Sequence, residues 1–268
     1  MNAKLIAIDL DGTTLNSHHQ IPQEVKETLQ QKRKEGAYVV ICTGRPLVGV
    51  TDFLEELEFD SDNDYVITFN GALIQKVKSG EIIAKHTLDI NDFYRFATLS
   101  KKLGLHMHTQ EQGTTYTFNR DISKYTIYES YLTKMPLKYR TFDEIPQDIV
   151  ISKMMLIDEP DLIDKAIPKI PKELFEQYEL VRSMPCFFEI LNKQASKGNA
   201  VKQLADILNI PRENVMAIGD NLNDISMIEY AGLSVAMGNG AEQVKEKAKY
   251  ITKTNDEHGV AYAIKTWG

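Results

Sequence analysis

Short apolar runs that each stop at a polar or glycine-containing turn are the feature that most constrains this chain. Leu5-Ile6-Ala7-Ile8 stops at Asp9, residues 38–42 stop at Thr43-Gly44-Arg45-Pro46, and residues 65–69 stop at Asn70-Gly71. Runs of four or five such residues without alternation belong to strands buried on both faces, as in parallel sheets. Between them, Val25 and Leu29, then Leu47, Val50, Leu54 and Leu57, are spaced for one face of a helix. Pro22 and Gly36 punctuate the first helix at its two ends. Strand, helix, strand, helix, strand predicts a doubly wound, mostly parallel α/β sheet. The same texture returns near Ser196, with a helix face at Val201, Leu204, Ala205 and Leu208 and strands at residues 215–218 and 234–237.

The intervening chain reads differently. Leu73-Ile74 and Ile82-Ile83 flank a Lys78-Ser79-Gly80 turn and suggest a hairpin. Leu105-His106-Met107-His108 and Thr115-Tyr116-Thr117-Phe118 alternate with period two, and residues 154–157 and 187–190 are further strand candidates. This stretch predicts an α+β module, an antiparallel sheet with helices on one face. The expected organisation is a discontinuous α/β core, residues 1–84 plus 189–268, split by an inserted domain at 85–188.

Composition narrows the function classes. With 43% of 268 residues apolar, the chain can bury a sizeable core. Its 31 basic and 38 acidic side chains give a net charge of −7, without the basic excess that non-specific nucleic-acid binding needs. The longest apolar run, Ala37 to Cys42, is far short of the roughly 20 residues that cross a bilayer. Leu5 to Ile8 is too short for a secretory leader. Cys42 and Cys186 are distant in sequence and form neither a disulfide framework nor a CxxC site. A soluble cytoplasmic protein, monomer or homodimer, with no nucleic-acid or membrane partner is expected.

Polar groups recur where the apolar runs stop, and ligands of open α/β sheets bind at the carboxyl ends of strands. Asp9-Leu10-Asp11-Gly12-Thr13 puts two carboxylates just past the first strand. An Asx turn would explain one such run. Thr43-Gly44 supplies a hydroxyl and backbone N–H groups suited to an oxyanion, although a simple strand-to-helix turn would look the same. Lys197, after Ser196, sits where a helix begins and its dipole disfavours a cation, so a charged partner is implied unless the lysine is merely solvated. Gly219-Asp220-Asn221-Leu222-Asn223-Asp224 holds four polar groups in five positions, more than one helix cap requires.

If these ends converge, Asp9, Asp11, Asp220 and Asp224 against Lys197 give a formal charge of −3 before a phosphate enters. That crowding requires a cation at low dielectric. Oxygen donors without a nearby His or Cys cluster select a hard ion, Mg²⁺ rather than Zn²⁺. A carboxylate facing phosphorus forms an aspartyl-phosphate, and a second can protonate the leaving alcohol and then activate water.

The set Asp9-x-Asp11-Gly12-Thr13, Thr43, Lys197 and Gly219-Asp220-x-x-Asn223-Asp224 resembles the four motifs of the haloacid dehalogenase superfamily. The large insert between the Thr and Lys motifs is similar to the Cof branch with its type IIB cap, and the nearer resemblance is to YidA-type sugar-phosphate phosphatases. It runs over essentially the whole chain, including Phe69-Asn70-Gly71-Ala72 and Asn119-Arg120-Asp121-Ile122-Ser123. The resemblance implies Asp9 as nucleophile and Mg²⁺ ligand, and Asp11 as acid/base with its backbone carbonyl on the metal. It implies Asp220 as the remaining side-chain ligand. Leu10, through its backbone, Thr43, Gly44, Lys197 and Asn223 match phosphate-binding positions, and Asp224 matches a position that supports the metal site or Lys197. The implied substrate is a small phosphorylated metabolite, a sugar phosphate first, with the insert shutting over it. A sugar phosphomutase or a non-catalytic phospho-acceptor or metabolite sensor would share these features.

Other motifs carry less. Gly238-x-Gly240 is an incomplete dinucleotide fingerprint, with Gln243 at the third position, and reads as a turn. His106 and His108 share a strand face, and a surface or pocket lining explains them better than a metal pair. Tyr116, Tyr125 and Tyr128 could line the same pocket, but half-buried packing accounts for each. Met154-Met155 and Phe187-Phe188 are assigned to the insert's core.

Overall fold

The computed structural model describes residues 3–268. Its strands in chain order begin with β1 (Leu5–Asp9), β2 (Tyr38–Cys42), β3 (Tyr65–Thr68), β4 (Leu73–Lys76) and β5 (Ile82–Lys85). A second group follows: β6 (His106–Glu111), β7 (Thr114–Thr117), β8 (Leu137–Tyr139), β9 (Ile151–Ile157), β10 (Tyr178–Met184) and β11 (Phe187–Asn192). The chain returns with β12 (Val215–Gly219), β13 (Leu233–Ala236) and β14 (Tyr250–Ile251). The first and third groups form one eight-stranded sheet in the order β14-β13-β12-β1-β2-β3-β4-β5. All its pairings from β14 to β3 are parallel, and β3, β4 and β5 close the edge as the antiparallel hairpin the sequence predicts.

Parallel strands deliver their carboxyl ends to one edge. β1 is flanked by β12 and β2, with Ile8 opposite Ile218 and Asp9 opposite Cys42. The strand order reverses direction about β1, which makes its end the switch point where α/β sheets take ligands. Helices Gln23–Lys34, Lys197–Ile207, Ile225–Tyr230 and Gly259–Trp267 bury Val25 and Leu29, Val201 and Leu204, Met227 and Ile228, and Val260 and Ile264. Leu5, Ala7, Val40, Ile67, Val201, Leu204 and Val215 belong to one apolar cluster. Cys42 belongs to the same cluster, and burial pushes its thiol well above the usual range, as expected of an inert core cysteine.

The second compact unit comprises Arg45–Gly49 and His86–Ala195. It ends at Ala195, whereas the change of sequence texture suggested 188. β11 runs through the suggested boundary because it pairs on both sides with insert strands, β9 and β10. The sheet order is β10-β11-β9-β6-β7-β8, antiparallel except for the parallel pair β7 and β8. One face packs Met107, Met154, Leu156 and Phe188 against Phe93, Phe96 and Ile163 from helices Ile90–Leu103 and Pro160–Ala166.

The opposite face is not the bare one that the sequence suggests. Helix Lys124–Thr133 lies on it through buried Thr126 and Glu129. Glu129 and Glu189 both reach the Lys153 ammonium, at 3.3 and 3.4 Å. Burial alone would lower Lys153, but the two carboxylates raise it above the usual lysine range, so the cation is kept inside. His106 and His108 do share this face, each with a partner of its own. His106 Nδ1 meets Asp158 Oδ2 at 2.7 Å, and His108 is fully buried with Nδ1 3.4 Å from Thr126 Oγ1. Tyr125 donates its hydroxyl to Glu159, Tyr116 packs on the apolar cluster of the other face, and Tyr128 is exposed beside Phe187.

Burial, then the neighbouring Lys153 charge, lowers His108 to about 3 from 6.5. The folded state therefore keeps it neutral while the unfolded chain takes up a proton below about 6.5. Stability should be full above that pH and fall progressively as the pH drops toward about 3. Chemical denaturation across this window should show the acid loss in the native chain and a shallower loss in His108→Gln.

Candidate active site

Three carboxylates and one ammonium meet at the carboxyl edge of β1 and β12. Lys197 is the first residue of helix Lys197–Ile207, and its side chain is fully buried. Its Nζ lies 2.5 Å from Asp9 Oδ1 and 2.6 Å from Asp224 Oδ1. Ser196 caps that helix by accepting from the Asn199 N–H, and the two carboxylates offset the unfavourable position of a cation at a helix start. Asp224 Oδ2 accepts from the N–H groups of Asp220 and Asn221. Both oxygens of Asp224 are thus committed, and it anchors Lys197 from behind.

Asp220 sits on the turn after β12. Its Oδ1 accepts from the Thr13 hydroxyl at 2.8 Å. Gly12, at φ 80°, passes so close that a Cβ there would lie 2.5 Å from Asp220 Oδ2. Only glycine combines that positive φ with that approach, which is why the turn Leu10–Thr14 can bring Asp9 beside Asp220. Thr14 ties the same turn down by donating to the Asp9 carbonyl at 2.6 Å.

Among the described residues, Asp9, Asp220 and Asp224 form a group whose ligand atoms lie within 4.8 Å of one another. Burial raises Asp9 well above the ordinary carboxylate range. The Lys197 ammonium opposes this, and the Asp224 and Asp220 carboxylates push it further up. Burial likewise raises Asp220. Asp9 is bonded to Lys197 and Asp220 to Thr13, and the two carboxylates also lie within hydrogen-bonding reach of each other. Two crowded, partly desolvated oxygen donors with no soft ligand fit a hard divalent cation, which would relieve their repulsion.

The other expected residues lie on the turns that follow β1, β2 and β12. Leu10 is buried at the start of the β1 turn, and Asp11 is exposed two residues beyond Asp9. Thr43 is buried directly after β2, its N–H donating to Ile67 and its carbonyl accepting from Asn70. Gly44 lies beneath the Asn70 amide, and Asn223 donates to Asn70 Oδ1 at 3.0 Å. Thr13, bonded to Asp220, and Asn70, bonded to Thr43 and Asn223, hold these turns together as well. Thr13 was legible from its place in the Asp9 run, but Asn70 had no charge or spacing to mark it. Gly238-x-Gly240 is a turn, as expected, and Asn239 within it donates to the Gly12 carbonyl at 2.8 Å.

The sequence pattern of the haloacid dehalogenase-like hydrolases matches residues 6–264. The chain belongs to this family. A Bacillus subtilis (strain 168) protein provisionally named phosphatase YxeH is 49% identical over 261 residues, covering 97% of each chain. The 5-amino-6-(5-phospho-D-ribitylamino)uracil phosphatase YcsE of the same organism is 34% identical, covering 100% of this chain and 96% of that protein. Among solved structures, a haloacid dehalogenase-like hydrolase from Bacteroides thetaiotaomicron superposes with a TM-score of 0.87 at 31% identity, covering 98% of this chain and 99% of that one. The subclass IIB sugar phosphatase BT4131 superposes with a TM-score of 0.79 at 27% identity, covering 99% of both. Within the family, this chain is a phosphatase.

Lys197 holds two buried carboxylates apart, so its removal should be costly. Lys197→Met should lose about 3–5 kcal/mol of stability, because Asp9 and Asp224 stay buried without their cation. Urea denaturation in the presence of EDTA measures this without interference from added metal.

Proposed function

We propose that this phosphatase hydrolyses small phosphorylated metabolites, sugar and sugar-alcohol phosphates first, through a covalent phosphate on Asp9 and with Mg²⁺. The observation that carries the reading is the buried Lys197 bridging Asp9 and Asp224, with Asp220 beside them. An ammonium has three N–H donors. Two go to Asp9 and Asp224, which leaves one for a phosphoryl oxygen.

In this reading Asp9 attacks phosphorus as a carboxylate, and the bond to the ester oxygen breaks. Asp11 gives its proton to the departing alcohol. Asp11, now ionised, takes a proton from water as that water attacks the aspartyl-phosphate, and the P–O bond to Asp9 breaks. Phosphate leaves, Asp9 returns as a carboxylate and Asp11 returns protonated, so the cycle balances. The backbone at Leu10, with Thr43, Gly44, Lys197 and Asn223, holds the non-reacting phosphoryl oxygens. Asp9, Asp220 and the Asp11 carbonyl would hold the Mg²⁺, whose charge spreads what accumulates on the phosphoryl oxygens.

The substrate class is supported by what is named for relatives. One solved relative is a sugar phosphatase, and a curated relative acts on a phosphoribityl compound. Both names describe a phosphate ester on a polyhydroxylated carbon chain.

A kinetic screen over phosphorylated metabolites should show phosphate release that EDTA abolishes and Mg²⁺ restores. Turnover that persists in excess EDTA would reject the metal, and an isomeric sugar phosphate accumulating in place of free phosphate would point to a mutase. Asp9→Asn should lose turnover by about 10³-fold or more while remaining folded, since it removes the nucleophile. Asp11→Asn should slow both half-reactions, as read by single-turnover phosphate release. Wild-type rates in either variant would remove that residue from the mechanism.

A further inference from the structure

The turn after β3 has a backbone that a strand end alone does not require. Phe69 and Asn70 have φ of 49° and 54°, and Gly71 follows at 97°. Asparagine tolerates the left-handed region, whereas a bulky residue such as Phe69 enters it at a cost. Such strain persists only where the surroundings hold it.

Those surroundings are the phosphate-facing elements themselves. The Asn70 N–H donates to the Thr43 carbonyl at 2.9 Å. Asn70 Oδ1 accepts from Asn223 Nδ2 at 3.0 Å. A Cβ on Gly44 would lie 3.2 Å from Asn70 Oδ1 and 3.3 Å from its Nδ2. A Cβ on Gly71 would lie 2.2 Å from the Ser196 carbonyl, so the turn presses against the residue before Lys197. Two adjacent residues thus touch the loop after β2, the turn after β12 and the start of the Lys197 helix.

An exposed asparagine side chain is free to rotate, and ordering it costs conformational entropy. Asn223 is exposed. Anchoring one of its N–H groups on Asn70 fixes the plane of its amide and hence the direction of the second N–H. We propose that Asn70 is a positioning residue for the phosphoryl group, its side chain orienting the Asn223 amide and its N–H fixing the Thr43 loop. This rests on the phosphatase reading above, in which Thr43 and Asn223 hold the phosphoryl oxygens.

The test is the Kd for inorganic phosphate, measured by calorimetry on the full chain with Mg²⁺, beside kcat and KM for p-nitrophenyl phosphate. Asn70→Gly keeps the left-handed turn. It should weaken phosphate binding about 10-fold and raise KM while kcat stays within about threefold. Asn223→Ala should weaken phosphate binding at least as much. The double variant should bind no more weakly than Asn223→Ala alone, because the two amides act as one unit. An unchanged phosphate Kd in Asn70→Gly, or losses that multiply in the double variant, would overturn the proposal. Should Asn70→Gly fail to fold, Asn70→Asp keeps the turn and brings a carboxylate beside the anion. Weaker phosphate binding is expected there, and an unchanged Kd would overturn the proposal equally. If the native chain turns over no ester while its phosphate Kd still responds to Asn70→Gly, the phosphatase reading fails and the positioning role stands.

Discussion

A lysine ammonium with no solvent contact, clamped between Asp9 and Asp224, is the constraint on which the rest of the site depends. Removing these groups from water is expensive, and their attraction repays it only with short, complete pairing. Completeness comes from elsewhere in the chain. The Asp220 and Asn221 N–H groups occupy the second oxygen of Asp224, and Ser196 sets where the Lys197 helix starts. β1 and β12 must therefore be neighbours in register, and the helix must begin at their carboxyl edge. Burial raises the energy of Asp9 as an anion, and Lys197 works against it. A carboxylate in that position depends on the ammonium beside it for what stabilisation its anion has.

The insert solves a related problem without apolar packing. The face of its sheet bearing His108, Gln110, Lys153 and Glu189 is covered by a helix whose inward side chains are Thr126 and Glu129. Ile127, Tyr128, Tyr131 and Leu132 on the same helix are exposed. The polar side is inside and part of the apolar side is outside, the reverse of an ordinary surface helix. Lys153 makes this tolerable, since one ammonium serves two buried carboxylates.

The parts of the fold that were legible in sequence are those where burial and periodicity agree. Leu5 to Ile8 and Val215 to Ile218 are buried on both faces, so continuous apolar runs marked them, and the chemistry followed from what stood at their ends. Asp9, Thr43, Asp220, Asn223 and Asp224 lie at or shortly after such ends, Lys197 opens a helix, and the summed charge of a convergent set called for a cation. Helix Lys124–Thr133 was not legible as a covering element because its buried positions are polar and give no apolar stripe. The end of the insert differs because Phe187, Phe188 and Ile190 would suit either sheet, and only the pairing of their strand with β9 and β10 assigns it. The role of Asn70 was not legible for a different reason. Its contribution comes from one amide and one left-handed φ, and neither leaves a pattern in composition or spacing.

The arrangement also explains how one scaffold carries names for different substrates. In the proposed reading, Lys197 and Asp224 act on charge, Asp9 and Asp220 act on phosphorus or a cation, and the Thr43 loop and Asn223 offer neutral donors. Each of these contacts would be the same for any phosphate monoester, because none depends on the carbon skeleton beyond the ester oxygen. Discrimination between alcohols must then be supplied by other side chains, and a single methylene difference in an apolar pocket is worth only about 1–3 kcal/mol. On that reading, a catalytic set that meets the phosphoryl group alone would let related chains be named for a sugar phosphate in one case and a phosphoribityl compound in another.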